Sequence, residues 1–83
     1  MDLKIYKNIK KIRELKNITR EYIAGELGMS TSGYGKIERG EVDLTVTKII
    51  RIAAILDVSV SFILNFDVNQ IFEESKKFKP HKN

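Results

Sequence analysis

The basic residues near the start of the chain are the side chains best suited to binding chemistry. Residues 1–20 carry seven lysines and arginines against two acids, whereas residues 21–75 carry four against nine. The last eight residues, 76–83, add four lysines and no acid. Clustered cations of this kind pair with phosphate groups, as on a nucleic-acid backbone. The same pattern fits a solvated amphipathic helix, and charge alone leaves both interpretations open.

The residues needed for catalysis or metal binding are scarce among the 83 residues. There is no cysteine, and the single histidine, His81, lies near the C-terminus. We therefore expect no disulfide, no metal, no cofactor and no enzymatic activity. Glu38, Glu41 and Asp43 are close in sequence, but a helix end and the loop after it account for them. No apolar run suits a membrane span or a signal peptide, so a cytoplasmic location is expected.

The elements that carry these side chains have the patterns of helices. Ile5, Ile9 and Ile12 recur at helical spacing with basic residues between them, which predicts an amphipathic first helix over residues 3–16. Three later helices begin with one pattern, an apolar residue followed by a hydroxyl residue that caps the helix. The three pairs are Ile18–Thr19, Met29–Ser30 and Val58–Ser59. Such repeated start signals favour an all-α domain.

The second half of the chain continues this pattern. Thr45 is the predicted cap of a fourth helix that runs to Leu56 and is mostly apolar, as expected for a helix that is central or shared with a partner. A fifth helix is predicted over residues 60–65, and apolar spacing beyond it allows a short sixth. Asn17 and Asp57 are predicted to end the helices before them in the left-handed conformation. The expected organisation is a helical domain over residues 1–66, an amphipathic extension over 67–78 and a disordered basic tail over 79–83.

Residues 19–40 are the most informative segment of the chain. Two short helices, the second capped by Ser30, flank Gly28, which can adopt the positive φ that a tight turn needs. Ala24, four residues before that glycine, supplies the small side chain that closely crossing helices require. This layout is typical of a helix-turn-helix, whose second helix enters the major groove of DNA.

Five short motifs occur in a fixed order around this segment. They are Ile9-x-x-Ile12-Arg13-Glu14, Ile18-Thr19, Tyr22-Ile23-Ala24-x-x-Leu27-Gly28-Met29-Ser30, Lys36-Ile37-Glu38-Arg39-Gly40 and Ile49-x-x-Ile52-Ala53-x-x-Leu56-x-Val58-Ser59. In type and spacing they resemble the Cro/CI-repressor, or Xre-like, family of helix-turn-helix DNA-binding domains. The resemblance implies a five-helix lambda-repressor-like fold in a DNA-binding protein of a prokaryote or phage.

The resemblance also assigns roles to positions. Base contacts in DNA fall to Thr31, Ser32 and Lys36, and phosphate contacts fall to Thr19, Arg20, Ser30, Thr45 and Thr47. Apart from the resemblance, the basic charge of the first helix predicts a phosphate contact for Lys10, and the small size of Gly35 predicts a close approach of its backbone to phosphate. Arg13 and Glu38 match a pair that bridges the first helix to the recognition helix. Each role competes with a plainer one, because caps and solvated surface side chains use the same residue types.

Three features depart from the family pattern. Arg20 stands where glutamine is common, which keeps a phosphate contact but leaves open whether this side chain also supports the recognition helix. Gly33 and Gly35 lie inside that helix, where each costs about 1 kcal/mol relative to alanine. The loop at residues 40–44 is acidic where a phosphate-facing loop is often basic. With few long polar side chains on the recognition helix, specificity is expected to depend on DNA shape as well as on base contacts.

A surplus of apolar residues towards the C-terminus predicts a homodimer. The candidate interface residues are Ile55, Phe62, Phe66, Val68, Ile71 and Phe72. Pairing about a two-fold axis would place two recognition helices one DNA turn apart on a palindromic site. The alternative is that the extension folds back over these residues within one subunit. The sequence thus predicts a sequence-specific, double-stranded-DNA-binding regulator of repressor or controller type, or alternatively an antitoxin-like module whose C-terminal segment binds a partner protein.

Overall fold

Five α-helices follow one another in the computed structural model of the chain, which describes residues 2–67. They are α1 (Leu3–Leu15), α2 (Arg20–Leu27), α3 (Thr31–Glu38), α4 (Val46–Leu56) and α5 (Val60–Asn65). No strand occurs within this range, so the all-α, five-helix prediction is confirmed. The sixth helix, the basic tail and the candidate interface residues Val68, Ile71 and Phe72 lie outside the described residues.

Each helix begins at a side-chain cap. The four predicted hydroxyl caps accept backbone N–H bonds at 2.9–3.1 Å, Thr19 from Tyr22, Ser30 from Gly33, Thr45 from Lys48 and Ser59 from Phe62. Asp2 caps α1 by accepting a bond from the Lys4 N–H at 2.9 Å, which the sequence analysis did not identify. Because the first N–H groups of a helix have no partner within it, these caps fix where each helix starts.

Four helices end in the same backbone turn. Asn17, Gly28, Gly40 and Asp57 are left-handed, with φ between 58° and 71°. The N–H of the residue after each one donates to the carbonyl five positions earlier, at 2.9–3.0 Å, as in the Schellman motif. Three of these turns lead directly into the next cap, so residues 17–19, 28–30 and 57–59 form connectors of one design. The middle residue of each connector packs against the core.

The core is formed by one side of every helix. α2 packs against α3 and α4, α1 packs against α3 and α5, and α4 packs against α5. The side chains that are fully buried between them are Tyr34, Ile9, Ile12, Ile23, Ile37, Ile52, Leu56 and Ile63. Burial of such side chains stabilises the fold by about 1.5–3 kcal/mol each. The described part of the chain contains no helix long and apolar enough to cross a membrane.

Phe66 is not the surface residue that the dimer prediction required. It is only 4% exposed and belongs to the core of its own subunit. The chain leaves α5 in an extended conformation at Phe66, and the ring lies 5.5 Å from that of Phe62. The subunit core therefore includes this aromatic side chain, while Phe62 stays 44% exposed.

Candidate nucleic-acid interface

The recognition helix α3 is attached to α2 through the connector at residues 28–30. Gly28 turns the chain with a φ of 71°, and Ser30 caps α3. Ala24 is buried where the two helices cross, in agreement with the small residue expected there. The three residues assigned to DNA bases, Thr31, Ser32 and Lys36, are all exposed on α3.

The inner side of α3 is fixed by a buried carboxylate. Arg13 Nε lies 2.5 Å from Glu38 Oε2, and Arg13 Nη2 lies 3.2 Å from Glu38 Oε1. The Tyr34 hydroxyl donates to Glu38 Oε2 at 2.6 Å, and Arg20 Nε donates to Glu38 Oε1 at 3.1 Å. Arg13 also donates to the Ile18 carbonyl at 2.7 Å. One side chain of α3 is thereby bound to α1, to α2 and to its own preceding turn.

The charges of this network favour the ionised carboxylate. Burial opposes the negative charge of Glu38, but hydrogen bonds from Arg13, Tyr34 and Arg20 outweigh that effect and lower its pKa. Burial and the hydrogen bond to Glu38 raise the pKa of Tyr34, so its hydroxyl stays protonated and acts as a donor. The hydrogen bond to Glu38 raises the pKa of Arg13 despite its burial. At neutral pH the Glu38 carboxylate is therefore ionised and paired with the guanidinium groups of Arg13 and Arg20.

Arg20 supports the recognition helix α3, a role that was open because arginine stands at this position instead of glutamine. Its Nε is bound to Glu38, while 40% of the side chain remains accessible to solvent. The guanidinium has further N–H donors besides Nε, and the structure gives them no bond within the described residues. Arg20 can therefore hold α3 and present donors to an anion at the same time.

A cleft of about 420 Å³ opens beside this side chain. Its lining brings together side chains from α1, α2 and α3 that were assigned to DNA, but it also includes two acids. The lining residues are Lys10, Arg13, Glu14, Thr19, Arg20, Glu21 and Thr31. Lysine and arginine are the usual partners of phosphate in such places, and the start of α2 adds unpaired backbone N–H groups. Thr45 and Thr47 lie elsewhere, exposed at the start of α4.

Gly35 does not present its backbone to solvent as the sequence analysis expected. It is buried, and a Cβ placed on it would lie 3.1 Å from Nη1 of Arg39. The Arg39 side chain thus covers it. Arg39 in turn pairs with Glu41 of the acidic loop, with Nε 2.6 Å from Oε2.

Two residues with structural roles, Arg39 beside α3 and Asn8 on α1, were not predicted from the sequence. Arg39 was noted only as part of a motif, although it lies one helical turn beyond Gly35 on the same side of α3. Asn8, which is buried on α1, donates to the Ile63 carbonyl at 2.7 Å and joins α1 to α5. An asparagine between two apolar positions, Tyr6 and Ile9, was the available signal for the second of these.

The described residues contain no group of three or more acidic or histidine side chains placed to bind a metal ion. Besides two acids that line the cleft, the side chains that converge on the outer side of α3 and on this cleft are cations and hydroxyls. Their chemistry is hydrogen bonding and charge pairing with an anionic partner.

Proteins of known sequence with a similar domain include two regulators of Bacillus subtilis (strain 168). The HTH-type transcriptional regulator YqaE is 32% identical over 71 residues, which cover 84% of this chain and 61% of that protein. The SPbeta prophage-derived HTH-type transcriptional regulator YonR is 31% identical over 71 residues, covering 80% of this chain and 66% of that protein. The chain therefore spans less than two-thirds of the length of either relative.

Three solved structures share the fold. SinR, a master regulator for biofilm formation crystallised in complex with DNA, has a TM-score of 0.64 at 29% identity, over 74% of this chain and 98% of that one. The restriction-modification controller C.AhdI of Aeromonas hydrophila has a TM-score of 0.68 at 24% identity, over 74% and 92%. The clp gene regulator ClgR of Corynebacterium glutamicum has a TM-score of 0.74 at 16% identity, over 94% and 85%.

A family model described as Helix-turn-helix matches residues 9–63, from the middle of α1 into α5. That range contains the two capped helices, the Gly28 turn and the buried Glu38 network described above. The chain therefore belongs to the helix-turn-helix family, in its Cro/CI-repressor, Xre-like branch.

Proposed function

We propose that this chain binds double-stranded DNA in a sequence-specific manner and regulates transcription, with α3 in the major groove. The observation that carries the proposal is the contrast between the two sides of α3. The inner side is fixed to α1 and α2 through Glu38, while Thr31, Ser32 and Lys36 on the outer side are exposed. An α-helix fits the width of the major groove, and a rigidly held helix places its side chains against base edges with little loss of entropy.

The phosphate contacts are proposed to come from the cleft beside α3. Lys10 and Arg20 supply cations there, and Thr19 and Thr31 supply hydroxyls. Two acids also line the cleft, and two more lie in the loop after Gly40 on the far side of α3, so the proposed attraction to phosphate depends on Lys10 and Arg20. SinR, whose structure contains DNA, supports the proposal through its similar domain.

A selection of duplexes from a random pool at fixed salt tests this function. We expect the wild-type chain to enrich one motif. Lys36→Ala should relax the base preference. Lys10→Ala should weaken binding to every duplex and reduce the slope of log affinity against log salt concentration by about one. Failure to enrich any motif would contradict sequence-specific binding, and identical behaviour of the two variants would contradict the separate roles.

The proposal includes a homodimer on a site with two-fold symmetry, acting as a repressor by occupying a promoter. One recognition helix reads only a few base pairs, and two helices one DNA turn apart read a longer site. Apolar side chains remain available for an interface, since Phe62 is exposed on α5 and Ile55 is half-buried. Val46 and Ile50, one turn apart on α4, are 70% and 54% exposed.

Light scattering at micromolar concentration tests the dimer. We expect a dimeric mass for the wild type and a monomeric mass for Phe62→Lys. Leu15→Lys, which also replaces an exposed apolar side chain but lies on α1, is the matched control and should stay dimeric. A monomeric wild type would contradict the homodimer while leaving DNA binding to be judged by the duplex selection.

A further inference from the structure

The exposed side of α3 is wider than the three residues assigned to bases. Residues four apart on a helix lie in one row. Ser32 and Lys36 form one such row, and Thr31, Gly35 and Arg39 form the row beside it. Arg39 is the C-cap residue, with φ −86° and ψ 0°, so it continues the path of the helix. Arg39 therefore lies beside the residues that face DNA in the proposed function.

The Arg39 side chain folds back along the helix. A Cβ built on Gly35 would lie 3.1 Å from Nη1 of Arg39 and 3.9 Å from its Cζ, and within residues 2–67 no side chain other than those of its chain neighbours comes as close. The guanidinium thus packs against Gly35, and a methyl group at position 35 would force it to shift by a few tenths of an ångström. It lies against the helix surface in the direction of Thr31, and 53% of the side chain remains exposed.

Glu41 holds one edge of that guanidinium. Its Oε2 lies 2.6 Å from Nε, and its Oε1 lies 3.4 Å from Nη2. The backbone N–H of Glu41 donates to the Lys36 carbonyl at 2.9 Å, which fixes this residue to the end of α3. The carboxylate spans Nε and the near N–H of Nη2. The second N–H of Nη2 and an N–H of Nη1 lie on the other edge, which has the two parallel donors that guanine O6 and N7 accept.

We propose that Arg39 is the principal specificity-determining residue of this domain and reads a guanine in the major groove, with Gly35 making room for its guanidinium and Glu41 orienting it. The inference rests on the proposed function. Thr31 and Ser32 are short, and Lys36 offers a flexible ammonium rather than a planar pair of donors. A bidentate arginine supplies a planar pair of donors that the other exposed residues of α3 lack, and so adds to the discrimination that Lys36 gives.

Selection of duplexes from a random pool, followed by titration of the enriched duplex and of one with its guanines replaced, tests the proposal. Arg39→Ala should lower affinity for the enriched duplex by about 5- to 150-fold and largely spare the replaced one. Arg39→Lys keeps the charge but loses the bidentate geometry, so it should show the same loss of preference with the wild-type dependence on salt. Arg51→Ala, which removes an exposed arginine on α4 that bonds the Glu26 carbonyl, is the matched control and should keep the full preference.

The outcomes separate this proposal from the function on which it rests. If the wild type enriches a motif that Arg39→Ala and Arg39→Lys enrich equally well, the role of Arg39 is overturned and the proposed function stands. If Arg39→Ala weakens all duplexes alike and Arg39→Lys restores binding, Arg39 contacts phosphate and the proposal is again overturned. A wild-type protein that enriches nothing overturns the proposed function together with this inference.

Discussion

Glu38 and Glu41 lie three positions apart at the end of the recognition helix, and both pair with arginine in opposite surroundings. The Glu38 carboxylate is almost fully buried and accepts bonds from three side chains. The Glu41 carboxylate is half exposed and pairs with Arg39 alone. In water a charged pair gains little, because solvent already stabilises the separated ions, whereas a buried ion without its partner is strongly disfavoured.

Neutralising these two acids should therefore have very different effects on folding. Glu38→Gln leaves the Arg13 guanidinium buried without a counter-charge and should cost about 3–5 kcal/mol of unfolding free energy. Glu41→Gln, the matched exposed control, should change stability by less than about 1 kcal/mol. Urea denaturation followed by circular dichroism measures both. If Glu38→Gln does not fold, Tyr34→Phe, which removes one hydroxyl donor to the carboxylate, should cost about 1.5–3 kcal/mol; equal losses for the two acids would contradict the buried network.

The same network sets how stability depends on pH. Hydrogen bonds outweigh burial and hold the pKa of Glu38 in the folded protein below its ordinary value of 4.5. The contribution of Glu38 to the unfolding free energy is therefore complete above pH 4.5, and it is lost as the pH falls through the lower pKa of the folded state. Burial raises the pKa of folded Tyr34 above its ordinary 10.0, so its contribution is complete below that pH and is lost as the pH rises further. Thermal melts across this range should show both losses. Tyr34→Phe should abolish the alkaline loss and reduce the acid one, and a profile unchanged by that substitution would contradict the assignment.

Gly35 and Gly25 allow stability and specificity to be separated. Both lie inside helices, where replacing glycine by alanine should raise the unfolding free energy by about 1 kcal/mol. Among the described residues, a Cβ at Gly25 meets nothing within 4 Å, but one at Gly35 would push the Arg39 guanidinium outward by a few tenths of an ångström. Gly35→Ala should therefore melt at a higher temperature and show a weaker base preference, while Gly25→Ala gains the same stability and keeps the full preference. If Gly35→Ala keeps the full base preference, the proposed position of the Arg39 guanidinium against Gly35 is wrong.

The helices and connectors of this chain were largely predictable because they depend on neighbours in sequence. The four hydroxyl caps and the ends of α4 and α5 agree with the structure, and so do the left-handed Asn17 and Asp57. A cap or a Schellman turn involves residues no more than five positions apart, so residue type and spacing are sufficient to indicate it. The first helix is one residue shorter than predicted because Asn17 already ends its hydrogen bonding.

Asp57, the left-handed residue that ends α4, allows the contribution of backbone conformation in a connector to be tested. Asp57 has a φ of 58°, a conformation that glycine adopts without steric cost and that alanine disfavours. We expect Asp57→Gly to be at least as stable as the wild type and Asp57→Ala to be less stable than Asp57→Gly by about 1 kcal/mol. The Lys16 ammonium contacts the Asp57 backbone carbonyl, so both substitutions keep that contact. Denaturation midpoints compare the three proteins, and the reverse order would contradict a left-handed turn.

Features that depend on the whole molecule were the ones that the sequence did not reveal. Phe66 has the residue type of an interface side chain, and only the packing of α5 against α1 and α4 shows that its own subunit buries it. A glycine at position 35 suggests that the backbone there can approach DNA closely, and only the path of the Arg39 side chain shows that Gly35 is covered. The bridge between Arg13 and Glu38 came from family resemblance, since residues 25 positions apart give no local signal.

Asn8 tests how firmly the last helix is held to the rest of the domain. Its amide donates to the Ile63 carbonyl in α5, and Asn8→Ala leaves that buried acceptor unpaired, at a cost of about 1–3 kcal/mol. Hydrogen exchange should become faster mainly in α5, with α2 and α3 protected as before. Uniformly faster exchange in all helices would show instead that α5 opens only when the whole domain unfolds.

The connectors and the α1 bonds also bear on how the chain folds during its synthesis. Each connector can form as soon as its few residues leave the ribosome, because its bonds are local. The first helix to emerge has to wait, since the acceptor of Asn8 lies 55 residues and that of Arg13 lies 25 residues further along. A nascent chain that ends within α4 holds α1 without its α5 partner, with its apolar side only partly covered. The first helix of this domain therefore docks completely only after the last helix has left the ribosome.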